Sequence, residues 1–241
     1  MPPFTYAQFH ALFLVPPLFV LSAATLWGRR RSVISPLAVG IITVVALVYT
    51  TPWDNYLIIR GVWGYGEGAV TAVIWEAPIE EYAFILLQPL LGAMWLHLYS
   101  LTVERPPDDL VVTWRDRALG ALAALPVLVV GLAMLTVDAT FYMGAILAWG
   151  APVLALQWAV GWKHLLARAR LVAVGVVVPT LYLSVADRIA IENGIWFLSD
   201  RYTTGLTVAG LPIEEGAFFF ITTLFVVQGL VLYPWVIERW R

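Results

Sequence analysis

The chain has 241 residues, of which 61% are hydrophobic and only 12% are charged. A soluble domain carries about a quarter charged residues, so this is the composition of a membrane protein. The absence of cysteine excludes disulfides and thiolate chemistry, and a net charge of −2 argues against nucleic acid as a partner. Three scattered histidines make no metal-binding spacing, and we predict neither a bound metal nor a cofactor.

Apolar segments long enough to cross a bilayer, which takes about 20 residues, occur seven times along the chain. They cover residues 8–27, 34–51, 70–98, 118–137, 141–161, 171–191 and 206–235. No basic residue precedes the first segment and three arginines follow it, which is the reverse of a secretory signal, so we predict a retained first span. The alternative is a short signal that ends at Ser22, Ala23 and Ala24.

The basic residues favour one orientation of the seven spans. Of the 14 basic residues, three follow span one, three follow span three, three follow span five and two follow span seven. The other side of the membrane would hold Arg60, Arg188 and Arg201. Because basic residues concentrate in cytoplasmic loops, we predict a multi-pass protein of the cell membrane with its N-terminus outside and its C-terminus in the cytoplasm.

A Pro-Ile-Glu-Glu motif occurs twice, beginning at Pro78 and at Pro212, each time within a long apolar stretch. Each motif is preceded by an aspartate, Asp54 or Asp187, that stands seven residues before a Gly-x-Trp sequence. The chain therefore contains an internal repeat of two similar halves. Because an even number of spans separates equivalent points, the two halves have the same orientation, and both motifs are expected at the same depth near the outer leaflet.

This repeat defines the predicted architecture. We predict an all-α polytopic membrane protein of seven transmembrane helices, built from two parallel three-helix repeats and one linking helix. The first repeat covers residues 1–103, a Pro-rich linker and the extra transmembrane helix cover 104–138, and the second repeat covers 139–241. All three parts form one integrated membrane domain.

The repeated acids are the candidate catalytic residues, namely Glu80, Glu81, Glu214, Glu215, Asp54 and Asp187. The glutamates are expected a turn or two inside the hydrocarbon edge, where an ionisable side chain is by default a functional hypothesis. Adjacent helical residues point about 100° apart, so one glutamate of each pair is expected to face the interior and the other a polar neighbour. The alternative is a Pro-started helix with acids in its first turn. The aspartates, expected after spans two and six on the same side as the motifs, could instead be solvated loop residues or be paired with Arg60 or Arg188.

Aromatic residues surround these acids, and two of the tryptophans belong to the repeat. The candidate substrate-binding residues are Trp63, Trp196, Phe84 and Phe218. Phe84 lies four residues after the first glutamate of its motif, as does Phe218, and this spacing places each pair on one helix face. Aromatic faces stabilise a cation. The alternative is the interfacial belt of Trp and Tyr that membrane proteins commonly have.

The doubled Pro-x-Glu-Glu helix start, each copy preceded by an aspartate and Gly-x-Trp, resembles the small integral-membrane carotenoid (lycopene) cyclases. In that family the two halves are separate subunits in some actinobacteria and are fused to phytoene synthase in fungi. Here both halves lie in one chain, as in the archaeal and some bacterial single-chain forms. The motif positions carried over are Pro78, Glu80, Glu81, Pro212, Glu214 and Glu215. The resemblance covers nearly the whole chain, span four excepted.

The resemblance implies an isomerase of carotenoid biosynthesis that closes the acyclic ends of lycopene, or of a related carotenoid taken from the bilayer, to β-rings. It also implies that both halves build one shared site. Formation of ε- or γ-rings, cyclisation of a C50 chain and hydration are close alternatives. A proton-coupled transporter and a carotenoid-binding protein without catalysis are alternatives from other classes, and the oligomeric state is left open.

Overall fold

A computed structural model of the chain describes residues 4–27, 34–103 and 110–240, except the side chains of residues 27, 239 and 240. Arg29, Arg30 and Arg31 lie outside the described residues, as do Arg105, Arg241 and the Pro-rich run at 104–109. The orientation that was predicted from these arginines therefore stays a prediction.

Among the described residues, seven helical segments are long and apolar enough to cross a membrane, which confirms the seven predicted spans and a multi-pass membrane protein. The first span contains α1 (Tyr6–Phe9), a π-helical turn (His10–Leu14) and α2 (Val15–Trp27). The next two spans are α3 (Pro36–Ile59) and α4 (Ile79–Ser100). The fourth combines α5 (Trp114–Ala123) with α6 (Leu125–Met134), and a 3₁₀ turn (Asp138–Thr140) leads into α7 (Phe141–Ala167). The last two spans are α8 (Ala169–Glu192) and α9 (Ile213–Trp240).

The described ranges also contain six short strands that were not predicted, and these lie between the helices at the motif end of the molecule. They are β1 (Trp63–Tyr65), β2 (Val73–Ile74), β3 (Ala77–Pro78), β4 (Trp196–Leu198), β5 (Thr207–Val208) and β6 (Leu211–Pro212). β2 and β3 form one hairpin, and β5 and β6 form its equivalent in the second half. The apolar residues before each Pro-Ile-Glu-Glu motif therefore belong to a hairpin rather than to the helix, and the prolines occupy the last strand position before α4 and α9.

The repeated glycines, Gly61 and Gly194, end helices α3 and α8. Both have a left-handed backbone, with φ of 71° and 69°. The amide of the following residue then reaches back to the carbonyl five residues earlier, from Val62 to Leu57 and from Ile195 to Ala190, at 3.0 Å in both cases. This is the glycine stop that satisfies the last carbonyls of a helix. The backbone then turns sharply, from α3 into β1 and from α8 into β4.

Strands β1 and β4 pair with each other and join the two halves above the helix bundle. Trp63 pairs with Leu198, Gly64 with Phe197, and Tyr65 with Trp196. Because strand side chains alternate, the first and last residues of both strands present their side chains on one face of this ribbon. These residues are Trp63, Tyr65, Trp196 and Leu198. Equivalent positions of the repeats thus meet around the central pair, which supports the predicted arrangement of two parallel repeats.

Small residues let α6 and α7 lie against each other in close contact. A Cβ atom at Gly144 would lie 2.7 Å from the backbone nitrogen of Leu135 and 2.8 Å from the carbonyl oxygen of Gly131. A Cβ atom at Gly131 would meet the backbone nitrogen of Ala148 at 2.6 Å. Neither helix can accept a side chain here without moving apart.

We expect Gly144→Ala to lower the free energy of unfolding by about 1–3 kcal/mol, the usual range for overpacking. Gly40→Ala is the matched control, because a Cβ atom at Gly40 would meet nothing within 4 Å and alanine is a better helix former than glycine. Thermal unfolding of both purified variants in detergent measures the difference. Equal midpoints for the two variants would contradict this packing account.

Candidate active site

The ends of α3, α4, α8 and α9 and one face of the β1–β4 ribbon enclose a cavity of about 50 Å³, here called the acid cavity. Four carboxyl side chains line it, those of Asp54, Glu81, Asp187 and Glu215. The rest of the lining is mainly aromatic and includes Tyr6, Phe9, Trp63, Tyr65, Phe84, Tyr142, Trp196, Phe218 and Phe219. Each half of the chain thus contributes one aspartate and one motif glutamate to the same cavity.

Glu81 is held by two phenols. The hydroxyl groups of Tyr6 and Tyr65 donate hydrogen bonds to its Oε2 atom, at 3.0 Å and 2.9 Å. Burial raises the pKa of Tyr65 well above its usual value, and the nearby carboxylates of Glu81 and Asp54 raise it further. Tyr65 therefore remains a protonated donor at any physiological pH.

The second half divides its donors between its two acids. Tyr142 donates one hydrogen bond of 3.0 Å to Oε1 of Glu215. The indole of Trp196 donates to Oδ1 of Asp187 at 2.9 Å, whereas Oδ2 of that carboxyl group is buried without a partner among the described residues. Glu81 is thus the carboxyl group of the cavity with two phenol donors, and Glu215 has one.

Asp54 and Asp187 lie inside helices rather than after them. Asp54 is in the last turns of α3, beyond Pro52, and is only 4% exposed; Asp187 is in α8 and is 2% exposed. Neither is solvated, and neither is paired with an arginine in the part of the chain that the structure describes. Arg60 packs over the ring of Phe141, 4.5 Å from its centroid, while the guanidinium of Arg188 binds Glu192.

Glu80 and Glu214 are buried too, but they support the loops before the hairpins. The backbone amide of Thr71 donates to Glu80 at 2.9 Å, and both the amide and the hydroxyl of Thr204 donate to Glu214 at 2.8 Å. Helix spacing had suggested that the first glutamate of each motif shares a face with Phe84 or Phe218. The structure instead brings the second glutamate of each motif into the cavity with those phenylalanines.

All four predicted substrate-binding aromatics line the acid cavity, which the three tyrosines Tyr6, Tyr65 and Tyr142 also line. Spans one and five are equivalent in the repeat, and each contains a proline, Pro17 or Pro152, that a tyrosine precedes, Tyr6 by 11 residues and Tyr142 by 10. The repeat thus contained a signal for two of these tyrosines. Tyr65 carries no such signal, because the equivalent position in the second half is Leu198.

The chemistry of the acid cavity is that of proton transfer in an apolar, aromatic surrounding. None of the described residues that line it is basic. Carboxyl groups with positioned phenol and indole donors suit acid–base work, and aromatic faces suit a transient carbocation. The volume of about 50 Å³ holds one or two waters at about 30 Å³ each, so a larger ligand must move the aromatic lining.

Comparison with known proteins agrees with this chemistry. The profile of the lycopene cyclase family matches residues 4–99 and 139–233. A lycopene beta-cyclase of Halobacterium salinarum is 55% identical over 98% of this chain and 99% of its own length. A bifunctional lycopene cyclase/phytoene synthase of Phycomyces blakesleeanus is 30% identical over 90% of this chain and 37% of its own. No solved structure matches the chain. These matches confirm the family resemblance that the doubled motif indicated, and the chain belongs to the lycopene cyclase family.

Proposed function

We propose that this chain is an isomerase that converts the acyclic ends of lycopene to β-rings. The observation that carries the proposal is the convergence of two aspartates and two glutamates, one of each from either half, in one aromatic cavity. The relative from Halobacterium salinarum supports the choice of lycopene and of the β-ring. We further propose that the substrate enters from the bilayer, because lycopene dissolves there and not in water.

The reaction needs a proton donor on one side of the terminal group and a proton acceptor on the other. A carboxylic acid protonates C2 of the terminal C1=C2 bond and leaves a tertiary cation at C1. The C5=C6 double bond attacks this cation, the C1–C6 bond forms, and the positive charge moves to C5. Loss of the proton from C6 then restores the C5=C6 bond. One proton enters and one leaves, so no oxidant, reductant or cofactor is required.

The hydrogen bonds suggest which glutamate takes which role. Two phenol donors, from Tyr6 and Tyr65, suit a carboxylate that is ionised and receives the proton, so we assign Glu81 as the base. Glu215 has one phenol donor and suits the acid. Asp54 and Asp187 line the same cavity, and their carboxyl groups adjust how readily the glutamates give or take a proton. Trp63 and Trp196 present aromatic faces to the cation, and the dry cavity keeps water from capturing it.

The same reasoning extends to the whole chain. We propose that residues 1–103 and 139–241 are parallel repeats, with 104–138 as the linker and extra helix, and the family match in two segments supports this division. We also propose a location in the cell membrane with the acid cavity toward the outer leaflet and the C-terminus in the cytoplasm. A protease-accessibility test on a tag at the C-terminus checks this orientation, since digestion from the outer face of intact cells would contradict it.

Expression in cells that accumulate lycopene tests the proposed function. We expect the red pigment to be replaced by an orange-yellow product of unchanged mass whose absorption and elution match a carotenoid with β-rings. A product with the mass of lycopene plus water would indicate a hydratase, and other ring isomers would show a different absorption. Bound but unchanged lycopene would contradict cyclisation and favour a carotenoid-binding protein.

A further inference from the structure

A second cavity, of about 360 Å³, lies deeper in the bundle between α3, α4, α7 and α9, and we call it the crevice. Its volume is within the range of ligand-binding pockets, about 300–1,000 Å³. It adjoins the acid cavity, because Phe84 and Phe218 line both. Along α9 its lining extends from Phe218 to Gly229, which is about 16 Å of helix at 1.5 Å per residue.

The crevice opens sideways, between α3 and α7. Val45 of α3 and Leu156 of α7 line it and are 58% and 66% exposed, so its mouth faces the lipid in a membrane. Its floor is buried and consists of Ile85 and Gln88 of α4, together with Thr222 of α9. Gln88 donates a hydrogen bond to Thr222 at 2.8 Å, which satisfies these polar groups within the protein. The lining as a whole is mainly apolar, and it includes two polar atoms, Oε1 of Gln157 and Nε1 of Trp149, that are buried without a hydrogen-bond partner among the described residues.

An aromatic stack connects the crevice with the acid cavity. The ring of Trp149, which lines the crevice, lies 4.8 Å from that of Trp53 at an interplanar angle of 24°. Trp53 in turn stacks on Phe218 at 5.9 Å and 5°. Trp53 immediately precedes Asp54, so the stack ends beside the carboxyl groups. Trp149 and Phe218, the two ends of this stack, both line the crevice and can contact a flat conjugated chain there.

We propose that the crevice binds the linear polyene body of the substrate, while the terminal isoprene units occupy the acid cavity. This inference rests on the proposed function and adds the site for the part of the molecule that does not react. The acid cavity, at about 50 Å³, cannot hold a ring-forming end unless Phe84 and Phe218 move, and these two residues form the wall between the cavities. The crevice also gives a substrate dissolved in the bilayer a lateral entrance.

Cavity-filling variants test this proposal through binding rather than turnover. The background is Glu215→Gln, which we expect to keep lycopene unchanged, purified from lycopene-producing cells with the bound pigment measured by absorbance. We expect Ala46→Phe, at the crevice on α3, and Val153→Phe, facing it on α7, each to lower the bound lycopene at least ten-fold. Val48→Phe is the control on α3, because Val48 is 68% exposed and does not line the crevice; it should leave the pigment unchanged.

Elution as a single species and an unchanged thermal midpoint identify the variants that fold. Full retention of lycopene by folded Ala46→Phe and Val153→Phe would overturn the proposal and indicate that the crevice holds lipid acyl chains. This failure differs from a failure of the proposed function. If the unaltered chain leaves lycopene uncyclised while Ala46→Phe still loses the pigment, the crevice is a polyene site on a protein with another activity.

Discussion

Glu215→Gln is expected to abolish cyclisation, with no ring-containing product of any kind. Glutamine cannot supply the proton that starts the reaction, and a positioned general acid contributes about 10²–10⁴-fold to a rate. Glu215 is 8% exposed and is held by Tyr142, so no bulk acid replaces it. Product analysis by chromatography and mass spectrometry should show lycopene alone.

Glu81→Gln should fail in a different way. The acid remains, so the cation still forms, but the positioned base that removes the proton from C6 is gone. We expect the β-ring product to fall at least 100-fold, and the residual product to carry its ring double bond elsewhere or to contain added water. If the product that Glu81→Gln still forms were pure β-ring carotenoid, the assignment of the base would be wrong. Turnover by Glu215→Gln would contradict the assignment of the acid.

The neighbouring glutamates provide matched controls. Glu80→Gln and Glu214→Gln keep an acceptor for the amides of Thr71 and Thr204, and neither residue lines the acid cavity. We expect both variants to retain most of the cyclisation rate.

The substitutions Asp54→Asn and Asp187→Asn should each lower the cyclisation rate less than Glu81→Gln or Glu215→Gln does, because the aspartates act through the glutamates.

Tyr65→Phe is expected to lower the rate of β-ring formation by about 10–100-fold, because a hydrogen bond to a charged group is worth about 1.5–3 kcal/mol. The lost hydroxyl is one of the two donors that hold Glu81, so the share of products other than the β-ring should also rise. A purely structural role would lower the yield of folded protein without changing the product ratio.

Tyr82→Phe is the matched control for Tyr65→Phe. The hydroxyl of Tyr82 donates to the carbonyl of Ile74 at 2.7 Å in the hairpin, and Tyr82 does not line the acid cavity. The same chemical change should therefore leave the product ratio unaltered. If both variants reduced activity equally, the hydrogen bond to Glu81 would have no special part in the reaction.

The sequence predicted the seven spans and the acids, but not which glutamate of each pair enters the cavity. That choice depends on the residue at which the helix begins, and the hairpin before Ile79 was hidden in an apolar run. Val73 and Ile74 of the hairpin are apolar although they are exposed, so hydropathy cannot separate a hairpin from a helix there. In the second half, the hairpin turn contains Ala209 and Gly210, both with positive φ.

The position of Asp54 was mistaken for a related reason. The predicted span ends at residue 51, directly before Pro52, and therefore leaves Asp54 outside the helix. Transmembrane helices tolerate proline where neighbouring helices satisfy the freed carbonyl, and Pro52 lies inside α3. The helix thus continues to Ile59 and buries Asp54 in the acid cavity. The tyrosine donors escaped prediction because tertiary contacts alone bring residues 6 and 65 to Glu81.

Cyclisation of lycopene in D₂O most directly tests whether the proton that starts the reaction comes from an exchangeable acid rather than from the hydrogen lost at C6. With Glu215 as the acid and Glu81 as the base, the proton lost from C6 goes to a different group from the one that protonates C2. We expect each ring to carry one deuterium at C2, seen as one added mass unit per ring. A product with no deuterium would mean that the hydrogen from C6 returns to C2 through a single carboxyl group, which would contradict the account.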